Sequence, residues 1–157
     1  MKAEVVRLLQ SRGVTLEAIA QVVLAVQGHY FVNLTLEECL LAVEAVVEKR
    51  EVQHAVLTGA ALDMLAEQRR LPEPLGAILR ADDGLYGVDE VMALAVTNIY
   101  GSIGLTNFGY LDKEKLGIIG ELNRRKGGQV HTFLDDLVAA IAAAAAARIA
   151  HQRAGGG

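Results

Sequence analysis

From Val88 to Tyr100 the chain offers no polar face: Val91, Met92, Ala93, Leu94, Ala95, Val96 and Ile99 crowd one helical segment. A helix that is apolar all round is a buried helix. The pattern therefore predicts a multihelical bundle with this segment at its centre and the other helices arranged around it.

The flanking segments supply those other helices. Residues 2–12 carry Val5, Val6, Leu8 and Leu9 at near-helical spacing, and Gly13 ends them. Thr15 is placed to cap a helix with core residues Leu16, Ile19, Val22, Val23 and Val26, stopped at Gly28. Thr35-Leu36-Glu37-Glu38 is a capping box: the threonine hydroxyl serves the third amide and Glu38 reaches back. Behind it come Cys39, Leu40, Val43, Val46 and Val47. A further helix is expected from Glu51 to Arg69, with Gly59 admitting a close neighbour or a bend. Pro72 and Pro74 punctuate the chain, and Pro74 suits the first turn of a short helix ending near Asp82-Asp83. The last long helix runs from about Thr132 to His151 through the alanine run at 139–147, which Ile141 interrupts. Alanine is the best helix former and lets neighbours pack closely. The Gly155–Gly157 tail is expected to fray. No strand alternation and no internal repeat is visible. The reading is all-α, six or seven helices in a single domain over residues 1–157.

Composition narrows the function. The chain has 157 residues, 52% of them apolar, enough for a core without staples. Cys39 is the lone cysteine, so no internal disulfide forms, and it is read as a small core hydrophobe. A net charge of −4 argues against a nucleic-acid partner; basic residues cluster only at Arg69-Arg70 and Arg124-Arg125-Lys126. The start, Met1-Lys2-Ala3-Glu4, leads into an amphipathic helix rather than a signal segment. No uninterrupted, charge-free apolar run of spanning length is found, so no transmembrane span is expected. A cytoplasmic protein, with at most peripheral contact at the inner face of a membrane, is the expectation.

The chemistry lies in acids embedded in apolar sequence. Asp89-Glu90 sits in GVDEVMAL and Asp135-Asp136 in TFLDDLVAA. Adjacent helical residues project about 100° apart, so one acid of each pair faces protein. An unpaired buried carboxylate costs several kcal/mol or takes up a proton. A hard divalent cation relieves that cost, and Mg²⁺ takes one or two carboxylates plus water and phosphate oxygens. First-turn acids also suit the helix dipole, so either pair alone fits capping as well as chemistry. Asp112 and Lys115 stand between the pairs, and Lys115 offers a point charge to a phosphate. The stretch Gly101-Ser102-Ile103-Gly104-Leu105-Thr106-Asn107 reads as a helix exit whose amides and Ser102, Thr106 and Asn107 side chains can meet an anion, or as a plain turn. It is not a Walker loop. His131 precedes Asp135 by four residues; it can relay a proton to a leaving alkoxide or simply cap the helix.

GVDEV, then Asp112-Lys113-Glu114-Lys115, then FLDDLVAAIAA resemble the phosphatidylglycerophosphatase A family. The resemblance extends along nearly the whole chain to its short, soluble YutG-like branch, through LTLEEC, KREVQHAVLTG, DDGLYGVDEV, YGSIGLTNFGYLDK and VHTFLDD. It implies an all-helical fold and a Mg²⁺-dependent phosphatase, Mn²⁺ being an alternative ion, that removes the terminal phosphate of phosphatidylglycerophosphate. It makes Asp89, Glu90, Asp112, Asp135 and Asp136 candidate metal ligands and Lys115 a phosphate contact. Asp89 or Asp136 is then the base that positions water. The N-terminal glycine-rich segment and apolar spans of membrane-embedded members are missing here, and Leu116 stands where the family has a proline after its lysine.

Three functions follow as hypotheses. The first is metal-dependent hydrolysis of a phosphomonoester, lipid or soluble. The second is cleavage of a nucleoside triphosphate at the α–β bond, which the lack of a repeated Glu-x-x-Glu pair disfavours. The third is a non-enzymatic helical module descended from the phosphatase, in which the alanine-rich last helix and apolar faces pack a homodimer.

Overall fold

The computed structural model describes residues 1–124 and 127–155. Arg125 and Lys126 of the expected basic cluster, and Gly156 and Gly157 of the expected frayed tail, lie outside the described residues. Among the described residues, nine α-helices and one 3-10 turn follow in order: α1 (Lys2–Ser11), α2 (Leu16–Gln27), α3 (Leu36–Val47), α4 (Arg50–Glu67), α5 (Leu75–Ala81), α6 (Val88–Thr97), the 3-10 turn Asn98–Tyr100, α7 (Gly101–Glu114), α8 (Ile118–Arg124) and α9 (Leu134–Ala154). Among the described residues there is no strand, so the all-α class holds.

Local sequence accounts for the early boundaries. Thr15 Oγ1 accepts the Ala18 amide at 3.1 Å, and Thr35 with Glu38 forms the expected reciprocal box. The helix expected from Glu51 begins one residue earlier, at Arg50. Pro74 caps α5 rather than entering its first turn. Cys39 is buried in the core, and desolvation pushes its thiol up to about 11, which leaves it inert.

The centre of the bundle is α9, not the Val88 helix. Every residue from Leu134 to Ala147 is buried, and α2, α3, α4, α6, α7 and α8 all pack against this helix. The physical reason is side-chain size. A helix surrounded on every side needs residues small enough for several backbones to approach at once, and alanine provides that without loss of helix propensity. Gly59 on α4 makes one such approach: a Cβ there would lie 2.5 Å from Leu137 Cδ1 and 2.9 Å from Phe133 Cβ. Val88, Val91 and Leu94 of α6 instead point outward, Met92 is half-buried against the core, and only Ala93, Val96 and Thr97 of that helix are buried.

The expected loop at 101–107 is also corrected, because it forms the first half of α7. Gly101 takes φ 76° at the junction, and Gly104 turns inward against α9, so these glycines shape a helix start and a helix contact. This extra helix, together with the short α8, raises the helix number above the six or seven expected. Residues Val88–Glu114 are long and apolar enough to cross a membrane by length and composition. In this fold they are two helices joined by the 3-10 turn, packed on each other and on α9.

Candidate functional site

The N-terminus of α9 is the electrostatic centre of the molecule. It is held in place by a carboxylate from another helix. Asp63 of α4, fully buried, accepts the Phe133 amide at 3.1 Å and the Leu134 amide at 3.0 Å. Burial pushes Asp63 up to about 8, against the pull of those two amides and of Arg12. Thr132 Oγ1 donates to the Leu79 carbonyl at 2.6 Å, which fastens the same entry to α5. Arg12 and Glu67 form a partly buried ion pair that grips the Val130 backbone: Arg12 Nη2 donates to its carbonyl at 2.8 Å, and Glu67 Oε1 accepts its amide at 2.7 Å.

On this fixed platform stand Asp135 and Asp136, each with only 4% of its surface exposed. Desolvation pushes Asp135 up to about 6, with Lys115 opposing it. Desolvation and then the Asp135 charge push Asp136 up to about 9. Lys115, at the end of α7, joins the cluster. Its Nζ donates to Asp112 Oδ1 at 2.8 Å and to Asp135 Oδ2 at 3.4 Å, and lies 3.7 Å from Asp136 Oδ1. Burial works against its charge, yet Asp135, Asp112 and Asp136 together raise its pKa. Asp89, at the start of α6, is half-buried and raised by desolvation, with Asp82 and Asp112 adding to the effect.

Three of the acids singled out from sequence thus converge around one ammonium, Asp112, Asp135 and Asp136, and Asp89 lies near enough to share charge effects with Asp112 and Asp136. Glu90 does not join them; its side chain is exposed and its amide donates to Asp89 Oδ1 at 3.0 Å. His131 lies before the first turn of α9, so it does not share a helix face with Asp135. Its carbonyl accepts the Asp135 amide at 3.1 Å. Its ring stands between Arg12 Nη2, 3.5 Å from Nδ1, and Gln129 Oε1, 3.1 Å from Nε2. His131 and Asp135 nevertheless line one cavity of about 690 Å³, together with Arg69, Arg80, Asp82, Asn123 and Gln129. Ser102 and Thr106 are exposed on α7, where Thr106 Oγ1 bonds the Ser102 carbonyl at 3.0 Å. Asn107 is half-buried and its Nδ2 finds no partner.

Asp63 and Asp82 escaped the sequence reading. Asp82 is set apart by its backbone and not by its sequence. Among the described residues the non-glycine positions with positive φ are Arg69 (55°), Asp82 (49°) and Lys115 (51°), and all three sit at this site. Asp82 and Lys115 each end a helix in the left-handed conformation, where glycine is the usual residue. Such strain persists where the side chain is needed. Asp63 gave no signal, because its partners are amides seventy residues away.

The oxygen-only donor set suits a hard divalent cation. Among the described residues no three of His, Cys, Asp and Glu form a ready-made cage. Mg²⁺ does not require one, since it keeps several waters and takes one or two carboxylates. Three carboxylates face a single ammonium, and Asp135, Asp112 and Asp89 all act on Asp136 as like charges, which such an ion would offset.

Sequence comparison extends these observations. The sequence model of the phosphatidylglycerophosphatase A family matches residues 6–151. YpjQ of Bacillus subtilis is 60% identical over 144 residues, covering 92% of this chain and 81% of its own. YutG of the same organism is 53% identical over 152 residues, covering 97% and 92%. The crystal structure of the low temperature requirement C protein from Listeria monocytogenes superposes with a TM-score of 0.95 at 53% identity, covering 98% of this chain and 96% of that one.

Proposed function

The chain belongs to the phosphatidylglycerophosphatase A family, and from that premise we propose that it is a Mg²⁺-dependent phosphatase that hydrolyses the terminal phosphate monoester of phosphatidylglycerophosphate to phosphatidylglycerol. The observation that carries this reading is the ammonium of Lys115 set among Asp112, Asp135 and Asp136, of which Asp135 lines a polar cavity. An ammonium in that place can leave a carboxylate for a phosphate oxygen as substrate enters.

Asp135 and Asp136, with Asp89 and Asp112 across from them, would hold the ion, and Mn²⁺ would suit the same oxygens. A bound divalent ion supplies charge neutralisation at the phosphate and a more acidic water. Lys115 Nζ binds non-bridging phosphate oxygens and orients the ester. Asp89 or Asp136 accepts the proton of the attacking water. Burial raises both carboxylates above the ordinary carboxylate range, which makes each a stronger base once deprotonated, and a bound cation would favour that deprotonated form. His131 lines the same cavity as Asp135 and returns a proton to the leaving alkoxide. Ser102, Thr106 and Asn107 lie along α7 and are secondary substrate contacts in this reading. The cytoplasm, with access to the inner face of the membrane, is the location that fits it.

A second reading keeps the chemistry and changes the substrate to a soluble phosphomonoester. It is favoured by the cavity lining, in which Arg69, Arg80, Asp82, Asn123, Gln129 and His131 are all polar. Phosphate release measured with and without Mg²⁺, on the lipid in mixed micelles and on glycerol phosphates, separates the two. Metal-dependent release from the lipid, lost in Asp136→Asn, supports the first reading. Release from the glycerol phosphates alone moves the substrate to the second. No release by folded protein removes both and leaves the non-enzymatic module.

A further inference from the structure

The cavity beside the acid cluster carries two guanidiniums that the proposed hydrolysis does not use. Arg69 follows the C-cap of α4, Arg80 stands in the last turn of α5, and both line the cavity. Asp135, which accepts a hydrogen bond from Lys115, lines it from the first turn of α9. One cavity of about 690 Å³ thus joins the arginines to the acids, and a pocket of that size takes a small ligand whole.

Pairing sorts the charges of the lining. Glu67 is paired with Arg12, Arg80 with Glu73, and Asp135 with Lys115. Arg69 is exposed, and among the described residues its side chain has no hydrogen bond or ion pair. Glu73 is held below the usual carboxylate range first by its hydrogen bond from Arg80, and Arg69 adds to the effect, so both guanidiniums lie near one carboxylate. Asp82 acts on Asp89 and Asp135 and belongs to the acid side. The α4–α5 side is left with two cations against one acid. Glu73 also fixes Arg80: its Oε1 accepts Arg80 Nη2 at 2.7 Å while its Oε2 accepts the Ala77 amide at 2.8 Å. Arg69 in turn occupies φ 55° just past a helix end, where glycine is the usual residue.

We propose that Arg69 and Arg80 form a second anion subsite, which holds a phosphodiester carried by the same molecule as the scissile monoester. The inference rests on the phosphatase reading and narrows its substrate class to glycerol compounds with two phosphates. A guanidinium stays charged at any working pH and meets phosphate oxygens through paired donors. A phosphodiester keeps its single negative charge under the same conditions. With the diester on the arginines, the monoester reaches Asp135 and Lys115 across the glycerol carbons between them. A lipid headgroup and its deacylated, soluble form present the same pair of phosphates.

Initial rates with Mg²⁺ test it on glycerophosphoglycerophosphate, on glycerol 3-phosphate, which lacks the diester, and on phosphatidylglycerophosphate in mixed micelles. The wild type is expected to prefer the first over the second by about a hundredfold in kcat/KM, and Arg69→Ala and Arg80→Ala each to cut that preference about tenfold, through KM rather than kcat. Arg69→Lys is expected to lose less. Arg69 makes no side-chain bond, so Arg69→Ala decides the matter even if Arg80→Ala, which breaks the Glu73 pair, loosens α5. Arg70→Ala removes an equal charge next door without touching the lining and is expected to keep the preference. No preference in the wild type, variants that slow both soluble substrates alike, or a loss that Arg70→Ala matches overturns the subsite and leaves the phosphatase standing. Arginine dependence on the lipid makes the source a headgroup, and dependence on the soluble compound alone makes it a free bisphosphate; both support the inference. Release from none of the three removes the phosphatase reading, and calorimetry with glycerophosphoglycerophosphate then decides: binding weakened in Arg69→Ala upholds the subsite, and binding that is absent or unchanged overturns it.

Discussion

Asp82 occupies a backbone conformation that an aspartate adopts at a cost, with φ 49° at the end of α5. Left-handed backbone costs a residue with a Cβ roughly 1–2 kcal/mol. Its carboxylate lines the cavity and raises both Asp89 and Asp135. Asp82→Gly is therefore expected to hold or raise stability by up to about 1 kcal/mol and to lower activity. Urea midpoints and metal-dependent turnover on the same preparation check it; a variant as active as wild type would show that Asp82 is there for the turn alone. The same pairing explains what was legible in the sequence. Asp89, Asp135 and Asp136 announced themselves because charge inside apolar sequence demands an explanation, while Asp112 and Lys115, in a charged run, were marked by their place between the acid pairs and by the family resemblance. Asp82 looked like an ordinary helix end, and only its backbone angle sets it apart. Asp63 looked like a surface acid on α4, because the amides it serves belong to α9.

At the scale of elements, the turn from α7 into α8 positions the ammonium. A Cβ on Gly120 would lie 2.3 Å from the Lys115 carbonyl oxygen, a backbone atom that cannot rotate away. Gly120→Ala must therefore shift α8 or the Lys115 backbone. The expected cost is about 1–3 kcal/mol of stability, with loss of activity on the order of a hundredfold if Nζ moves by about 1 Å. Turnover and melting midpoint measured together test this, and full activity would mean that α8 yields instead. The start of α9 depends on Asp63 in a different way. Asp63→Ala leaves the Phe133 and Leu134 amides buried without a partner, at about 1–3 kcal/mol each. Asp63→Asn, which keeps one acceptor, should lose less; equal losses in chemical denaturation would mean that volume rather than hydrogen bonding sets the cost. Capping residues made α2 and α3 readable in advance. The choice of central helix was not, because apolar content does not say which helix is surrounded. The Val88 segment has large apolar residues on its outer face, and the 139–147 segment has small ones that six neighbours can approach.

Across the whole molecule, placing the N-terminus of α9 in the interior couples stability to pH. Burial is the first cause of the raised values at Asp63 (about 8), Asp135 (about 6) and Asp136 (about 9). Unfolded, these groups return to the ordinary carboxylate range near pH 4. Between those limits the folded chain binds more protons than the unfolded one, so stability falls as pH rises. In chelator, the free energy of unfolding is expected to drop by on the order of 2–4 kcal/mol from pH 5 to pH 9, because each pKa unit is worth about 1.4 kcal/mol and the groups act on one another. A flat or rising profile would show that the acids are less desolvated than their burial implies. Divalent cation should act against that slope. An ion held by these carboxylates binds their deprotonated form in the folded chain only, so it stabilises more at pH 9 than at pH 5. Urea unfolding with Mg²⁺ or Mn²⁺ against chelator at the two pH values measures the difference. Stabilisation confined to the alkaline side, and lost in Asp136→Asn, ties the ion to this cluster. An equal effect at both values places any bound ion elsewhere and leaves Lys115 as the charge set against Asp112, Asp135 and Asp136.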